Sequence, residues 1–412
     1  MFILGRPLIE VDPTRPVEEQ REVLQNRWHP DIPAVVEVRP GDTFVVECLD
    51  WTGGQVRNDD DASDIRDMDL TPNHHLTGPI AVRGAEPGDI LVVDILDLGP
   101  HPKMKWGYTG IFARSNGGGF LTDHFPEAHK AIWDFHGVYA TSRHVPGVKI
   151  PAIPHPGILG TAPSHELLQR WNERERKLIA RDPNRVPPLA LPPEPRNAIL
   201  GSLRPGTPEY ERIAREAART IPPRENGGNR DIKNLTRGAR AYLPVYVPGA
   251  KLTVGDLHFT QGDGEITFCG AIEMAGWIEL HVDLIKDGMN KYGIRHPMFE
   301  PSPIEPRFSR YLVFEGYSVD EEGEQYYLDP HVAYRRACLE AVEYLKGFGY
   351  TGEEAYTILG AAPVEGRISA IVDIPNACCT LWLPTEIFEF DIRPGTQGPV
   401  ARVQGGRLAR AR

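Results

Sequence analysis

Asp256 and His258 stand two residues apart in the stretch GDLHFTQGDGEI, residues 255–266, and Glu265 closes the same stretch. In an extended strand such a pair shares one face, about 6 to 7 Å apart along the backbone, which brings a carboxylate and an imidazole within reach of one ion. The Gly262-Asp263-Gly264 turn would fold Glu265 back toward the same region if the stretch is a hairpin. Asp, His and Glu together make a mixed oxygen and nitrogen donor set suited to zinc or a similar divalent metal. The plain alternative is ordinary Gly-Asp turn chemistry with one histidine in a strand, and a short motif alone does not decide between them.

Two further clusters bear on the same question. In RDMDLTPNHHLTGP, residues 66–79, the adjacent His74 and His75 point to opposite faces of an extended chain, so one of them is expected to enter a site. The acidic run before it, RNDDDAS, is expected to be a solvated, self-capping loop. In ENGGNRDIKNLTRG, residues 225–238, Gly227-Gly228 permits close backbone approach, and Asn229 and Asp231 are candidates to face a pocket; the alternative is a hairpin entry in which they bond their own backbone. His124, His129, His136, His144 and His155 are spread through loop-like sequence without an HExxH spacing. Cys378-Cys379 in NACCTLW offers a thiol nucleophile, but its apolar flanks favour buried, inert sulfur. SNGGGF lacks the lysine of a P-loop and the full GxGxxG spacing, so no nucleotide site is expected.

The elements that would position these residues are short. A chain of 412 residues suggests more than one packed unit, and 41 glycines with 39 prolines suit short strands joined by turns. Apolar residues alternate with period two around Pro40-Gly41-Asp42 and Pro87-Gly88-Asp89, and again between Tyr242 and Met274. Between these blocks, SHELLQRWNERERKLIA and TPEYERIAREAART predict amphipathic helices capped by Ser164 and Thr207, separated by the proline-rich RDPNRVPPLALPPEPR. DPHVAYRRACLEAVEYLKGFG and TGEEAYTILGAAP predict two helices near the C-terminus, GRISAIVDIPNACCTLWLP returns to strand, and QGGRLARAR suggests a frayed basic tail. The expected fold is mainly β with an α+β C-terminal part: sandwich- or barrel-like blocks joined by a Pro-rich helical insertion. The expected units are 1–150, an N-terminal β domain; 151–225, the insertion; 226–300, a central β block carrying the site; 301–400, the α+β region; and 401–412, the tail.

A formal charge of −12 and a pI near 5.7 argue against holding nucleic acid or an anionic membrane through a general basic field. The start lacks the basic and long apolar regions of a signal peptide, and no apolar run reaches transmembrane length. Five cysteines without a CxxC pair favour reduced thiols in a cytoplasmic protein.

NHHLTGPIAVRGAEPGDILVVDIL, GGNRDIKNLTRGARAYLPVYVPGAKLTVGDLHFTQGDGEI and GRISAIVDIPNACCTLWLP resemble the acetamidase/formamidase family of amide hydrolases, and the length and central insertion resemble its formamidases most. The resemblance covers nearly the whole chain and is weakest in the insertion and tail. It implies hydrolysis of a short aliphatic amide, formamide first, to the acid and ammonia, by a cytoplasmic homo-oligomer, a trimer or hexamer. It also implies a divalent metal, zinc. The matching positions are Asn229 and Asp231 in GGNxD, Asp256 and His258 in GDxH, Glu265 in GDGE, and His74 before TGP, where relatives carry a single histidine and this chain has His74-His75.

On that basis Asp256, His258 and Asp231 are the expected metal ligands. Glu265 is the expected carrier of the water proton to the leaving ammonia, with Glu273 as the alternative acid and base. His74, or backbone N–H groups near Gly227-Gly228, would face the oxyanion, and Asn229 and His75 would contact substrate. The rival mechanism is metal-free, with Cys378 or Cys379 as nucleophile. Alternatives for the whole chain are an acetamidase or lactam hydrolase of the same family, or a non-catalytic β-barrel binding module. Such amides differ by pocket volume, and one methylene changes discrimination by only about 1 to 3 kcal/mol.

Overall fold

The computed structural model describes residues 6–183, 195–304 and 308–412. Apolar runs bounded by Pro-Gly-Asp turns form antiparallel strands. At those turns Gly41 takes φ +91° and Gly88 φ +97°, a region closed to most side chains, while Asp42 and Asp89 accept the backbone N–H of Arg39 at 2.7 Å and of Glu86 at 2.8 Å.

Two sheets share one core. In the smaller, five strands run in the order Met298–Glu300, Arg240–Pro244, Ile90–Pro100, Gly276–Ile285 and Thr43–Cys48. The larger carries the strands that matter for the site: β1 (Leu76–Val82), β2 (Trp106–Ile111), β3 (His155–Gly160), β4 (Gly227–Asn229), β5 (Leu252–Gln261) and β6 (Phe268–Met274). Its spine runs β1, β5, β6, β2 and on to His129–Phe135, with β3 branching from β5 and β4 pairing with β3. Strands from the first 150 residues and from 226–300 therefore interleave in both sheets. Val46, Val93, Ile95, Leu280 and Val282 of the smaller sheet bury in one cluster with Ile80, Leu252, Val254, Leu257 and Met274 of the larger. The fold is mostly β with several antiparallel sheets and no closed barrel among the described residues.

The two insertion helices form as the sequence predicts, over His165–Arg181 and Pro208–Glu216, with Ser164 and Thr207 accepting the N–H groups of Leu167 and Tyr210. Most of the proline-rich run between them, 184–194, lies outside the described residues. The C-terminal region is a three-stranded sheet, Tyr311–Tyr317, Cys378–Pro384 and Glu365–Ala370, with helices Pro330–Lys346 and Gly352–Ala361. The second helix buries Glu354 through Ala361, and so lies inside the protein rather than on it.

Two expectations are corrected. The tail is not frayed: Leu408 and Ala409 are buried, Ala409–Arg410 pairs with Lys130 and His129, and the Arg412 carbonyl accepts from Arg66. The acidic run is not merely solvated: Asp59 and Asp64 hold the fully buried Lys130 ammonium at 2.9 and 2.8 Å, and Asp60 holds Arg143 and His144, each at 2.9 Å. No helix among the described residues is long and apolar enough to cross a membrane.

Candidate active site

β5 is the backbone of the site. β3 pairs along one of its edges from Thr253 to His258. On the other edge β1 pairs with Leu252, Val254 and Gly255, whereas β6 pairs with Leu257, His258 and Gln261. The sheet thus forks at Asp256, which neither ladder includes and which takes φ +56°. An aspartate tolerates this left-handed conformation, and the kink re-aims its side chain. The sequence expectation of a regular strand at this point is corrected accordingly.

At His258 the register places His155 directly across on β3 and Glu273 directly across on β6. Cross-strand neighbours lie close enough for side chains to meet, so the three form one row. His258 Nε2 lies 3.0 Å from Glu273 Oε2 and 3.2 Å from Asp256 Oδ1. Its Nδ1 lies 2.9 Å from Gln261 Oε1 and 3.2 Å from His155 Nε2. Asp231, at φ +48°, enters from the chain after β4, where the Gly157 carbonyl accepts the N–H of Arg230 at 3.0 Å and of Asp231 at 3.3 Å. Gly157 also leaves room for the cluster: a Cβ there would sit 2.4 Å from Asp256 Oδ2, 2.6 Å from Asp231 Oδ1 and 2.9 Å from His258 Cε1.

Glu265 lies in the connection from β5 to β6 rather than in a tight two-strand turn, because β6 begins only at Phe268. The C-terminal module fixes that connection. Gly262 N donates to Gly360 O at 2.6 Å, Asp263 N to Val364 O at 3.2 Å, and Tyr334 Oη to Asp263 O at 2.9 Å. With Glu265 at φ +45°, its carboxyl accepts the Gly270 N–H at 3.4 Å.

His74, Asn229, Asp231, Asp256, Glu265 and Glu273 line one cavity of 440 Å³, together with apolar residues including Trp51, Phe120, Ile221 and Phe268. Polar atoms without partners point to missing company: Asp231 Oδ1 is buried with none, and Asn229 gives its NH₂ to Ile221 O at 3.1 Å, which leaves Oδ1 buried and unpartnered. Buried acceptors in that state are costly unless something binds them.

Burial sets the protonation of the cluster, and neighbouring charges modify it. Burial, then the charge of Asp256, pushes Asp231 up to about 7. Burial, then Asp231 and Glu273, pushes Glu265 well above the carboxylate range. Burial also raises Glu273, although the charge of His258 opposes it. For Asp256 burial works upward, yet the charge and hydrogen bond of His258 bring it below its ordinary value. His258 resists its own burial through Glu273 and Asp256 and is raised. Burial brings His74 down to about 4, so that ring is neutral near pH 7.

The donor atoms of Asp231, Asp256 and His258 lie within 4.8 Å of one another, and two carboxylates with one imidazole are a hard-to-borderline set that fits a divalent cation. His29, Asp31 and His165 form a second group of the same compactness, but there the proton is misplaced. Asp31 N donates to His29 Nδ1 at 3.0 Å, so the ring proton sits on Nε2, facing Glu216 at 3.0 Å, and Arg212 already holds both carboxylates.

Other sequence candidates fall elsewhere. His75 faces away from the cluster, with Nδ1 on Trp51 O at 3.2 Å, and lines a different cleft with Arg21 and Tyr210. Cys378 and Cys379 sit in the C-terminal sheet, Cys379 against Pro330 O and in a neighbouring cavity. Cys269, by contrast, lies 3.7 Å from Glu273 Oε1, fully buried, and burial pushes its thiol well up. Three residues of the site escaped the sequence: Gly157, Gln261 and His155, the last in a stretch taken for loop. A glycine inside the apolar strand HPGILG was the available signal, since such a glycine marks close approach.

Comparison with known proteins places the chain in a family. The model of the acetamidase/formamidase family matches residues 10–390. The chain is 61% identical to the formamidase of Methylophilus methylotrophus over 97% of this chain and 98% of that one. It is 58% identical to the acetamidase of Mycolicibacterium smegmatis over 88% and 91%, respectively. Among solved structures, the gamma lactamase from Delftia acidovorans is similar with a TM-score of 0.96 at 57% identity, covering 98% of this chain and 99% of that one.

Proposed function

The chain belongs to the acetamidase/formamidase family and is an amide hydrolase, and on that premise we propose that it converts formamide and other short aliphatic amides to the carboxylic acid and ammonia in the cavity at the β5 fork. The observation that carries this is the convergence of four carboxyl groups, Asp231, Asp256, Glu265 and Glu273, with the His74 imidazole on one cavity that apolar residues also line, His258 being packed against Asp256 and Glu273. Amide resonance makes the carbonyl a poor electrophile and the amine a poor leaving group, so a nucleophile, an oxyanion partner and a proton donor are all required.

Asp231, Asp256 and His258 are the residues that would hold a divalent cation, zinc in our reading; when bound, it would acidify water and polarise the amide carbonyl. Glu265, whose proton affinity burial and the neighbouring Asp231 raise, takes the proton of the attacking water and returns it to the departing nitrogen. Asn229 Oδ1, a buried acceptor without a partner, receives the substrate NH₂. Thr220 Oγ1 accepts the backbone N–H of His74 at 2.8 Å and lies 3.0 Å from its Nδ1; in our reading the hydroxyl donates to Nδ1, which leaves Nε2 carrying the ring proton toward the carbonyl oxygen. A neutral imidazole serves there as a hydrogen-bond donor that holds its proton.

Trp51, Phe120, Ile221 and Phe268 offer more apolar wall than formamide needs, which favours acetamide or a small lactam as further substrates. The similarity to an acetamidase and a lactamase supports that extension. Reduced cysteines suit a cytoplasmic enzyme, and the exposed Ile368, Val372 and Ile374 suit burial between copies in a homo-oligomer. The test is ammonia release from formamide, acetamide, propionamide and a γ-lactam, each with and without chelator and with zinc restored. Turnover unaffected in rigorously metal-free protein would end the zinc assignment, and no ammonia from any amide would end the substrate class.

A further inference from the structure

The orientation of one buried amide determines which nitrogen of His258 is open to the cavity. Gln261 Nε2 donates to the Asp231 carbonyl at 2.7 Å, and only the NH₂ end of an amide can face a carbonyl. Gln261 Oε1 must therefore point the other way, where it meets His258 Nδ1 at 2.9 Å. His155 reaches the same atom from β3. Its Nδ1 lies 2.8 Å from the Ile153 carbonyl and so carries that ring's proton, which leaves Nε2 as a lone pair 3.2 Å from both His258 Nδ1 and Gln261 Oε1, so that a single proton on His258 Nδ1 is shared between the two acceptors. His155, His258 and Gln261 are all buried, so no solvent competes for these contacts.

Two acceptors thus converge on one ring nitrogen. We infer that Gln261 and His155 are positioning residues that hold a proton on His258 Nδ1, so that Nε2 is the nitrogen that exchanges a proton or a divalent cation beside Asp256 and Glu273. The contrast with His29 is direct, since a backbone N–H donates to that Nδ1 and forces the opposite tautomer. Ligating imidazoles in general have the second nitrogen anchored in this way, and loss of the anchor weakens metal binding by about 10–100-fold. The inference rests on the proposed site for its functional meaning but not for its test.

The experiment labels the full-length protein with ¹⁵N-histidine and records long-range ¹H–¹⁵N spectra at alkaline pH, before and after addition of Zn²⁺. The expected result is a protected Nδ1–H on His258, with Zn²⁺ moving only the Nε2 resonance. In a Gln261→Met, His155→Phe variant, the Nδ1–H loses protection, the tautomer ratio moves toward Nε2–H, and zinc association weakens about 10–100-fold. A wild-type His258 that is Nε2–H when neutral, or that meets Zn²⁺ through Nδ1, overturns the inference whether or not amides are hydrolysed. A wild-type Nδ1–H with no response to zinc supports the inference and removes the metal from the proposed function. Because the wild-type spectrum decides the tautomer, the test stands even where the double variant does not fold.

Discussion

Replacing Gly157 by alanine adds one methyl group to the site and nothing else. That methyl would stand 2.4 Å from Asp256 Oδ2 and 2.6 Å from Asp231 Oδ1, with His258 Cε1 at 2.9 Å. Ordinary carbon contacts need about 3.5 Å, so each carboxylate must withdraw by about 1 Å. A misplacement of that size costs roughly 10²-fold in rate when it affects one reacting group. Two groups move here, which puts the expected loss of kcat/KM at about 10²–10⁴-fold. Overpacking costs about 1–3 kcal/mol of stability, too little to explain that loss through unfolding. The assay is ammonia release on Gly157→Ala beside a urea titration, with Gly395→Ala, whose added methyl meets nothing within 4 Å, as control. A folded Gly157→Ala enzyme within about threefold of wild type would refute the claim that Asp231 and Asp256 must close on His258.

Glu265→Gln keeps the size of the side chain but not its proton transfer, and kcat should fall about 10²–10⁴-fold with KM little changed; stopped-time ammonia assays measure both. Lys130→Met removes the ammonium paired with Asp64, whose side chain is only 2% exposed and keeps Arg57 beside it, and should destabilise by about 3 kcal/mol in urea titration while the folded fraction keeps its kcat. Glu225 ties the helix His165–Arg181 to the start of β4 through Trp171 Nε1 at 2.7 Å and a two-pronged Arg174 contact at 2.7 and 2.9 Å. Burial opposes its charge, yet these bonds bring it from 4.5 to about 2. Because the folded value is depressed, its contribution is complete above the unfolded value and disappears as pH falls through the folded one. After screening at a part-exposed position it amounts to about 1 kcal/mol. The stability gap between wild type and Glu225→Gln should therefore be full at pH 6 and narrow below about pH 4.5, which paired urea titrations measure.

What the sequence made legible was local. Period-two alternation and Pro-Gly-Asp turns marked the strands, Ser164 and Thr207 marked helix starts, and the spacing of Asp256 and His258 marked their proximity but not the left-handed turn that produces it. What it hid depends on partners far along the chain. His155 meets His258 only because β3 pairs with β5; Gly157 in HPGILG signals a close approach there but not which strand it pairs with. The left-handed turn at Asp256 arises because β1 and β6 compete for one edge of β5, a conflict visible only once all three strands are placed. Arg410 and Leu408 looked like the end of a solvated tail because their neighbours are basic, yet pairing with the strand His129–Phe135 outweighs that composition.

The fork also explains why a mainly β enzyme needs its α+β region. A regular hairpin would send β5 directly into β6 and leave Glu265 at an exposed tip. Instead the end of the helix Gly352–Ala361 accepts Gly262 N through Gly360 O, and Gly262 itself leaves no room for a side chain, since a Cβ would meet the Leu359 carbonyl. That clasp lengthens the connection and turns the Glu265 carboxyl inward. The row His155, His258, Glu273 supplies direction in the same space: acceptors in the wall take the Nδ1 proton, and carboxylates in the cavity face Nε2. On the proposed mechanism, proton traffic at His258 would thereby be confined to the side that Glu265 and Asp231 face.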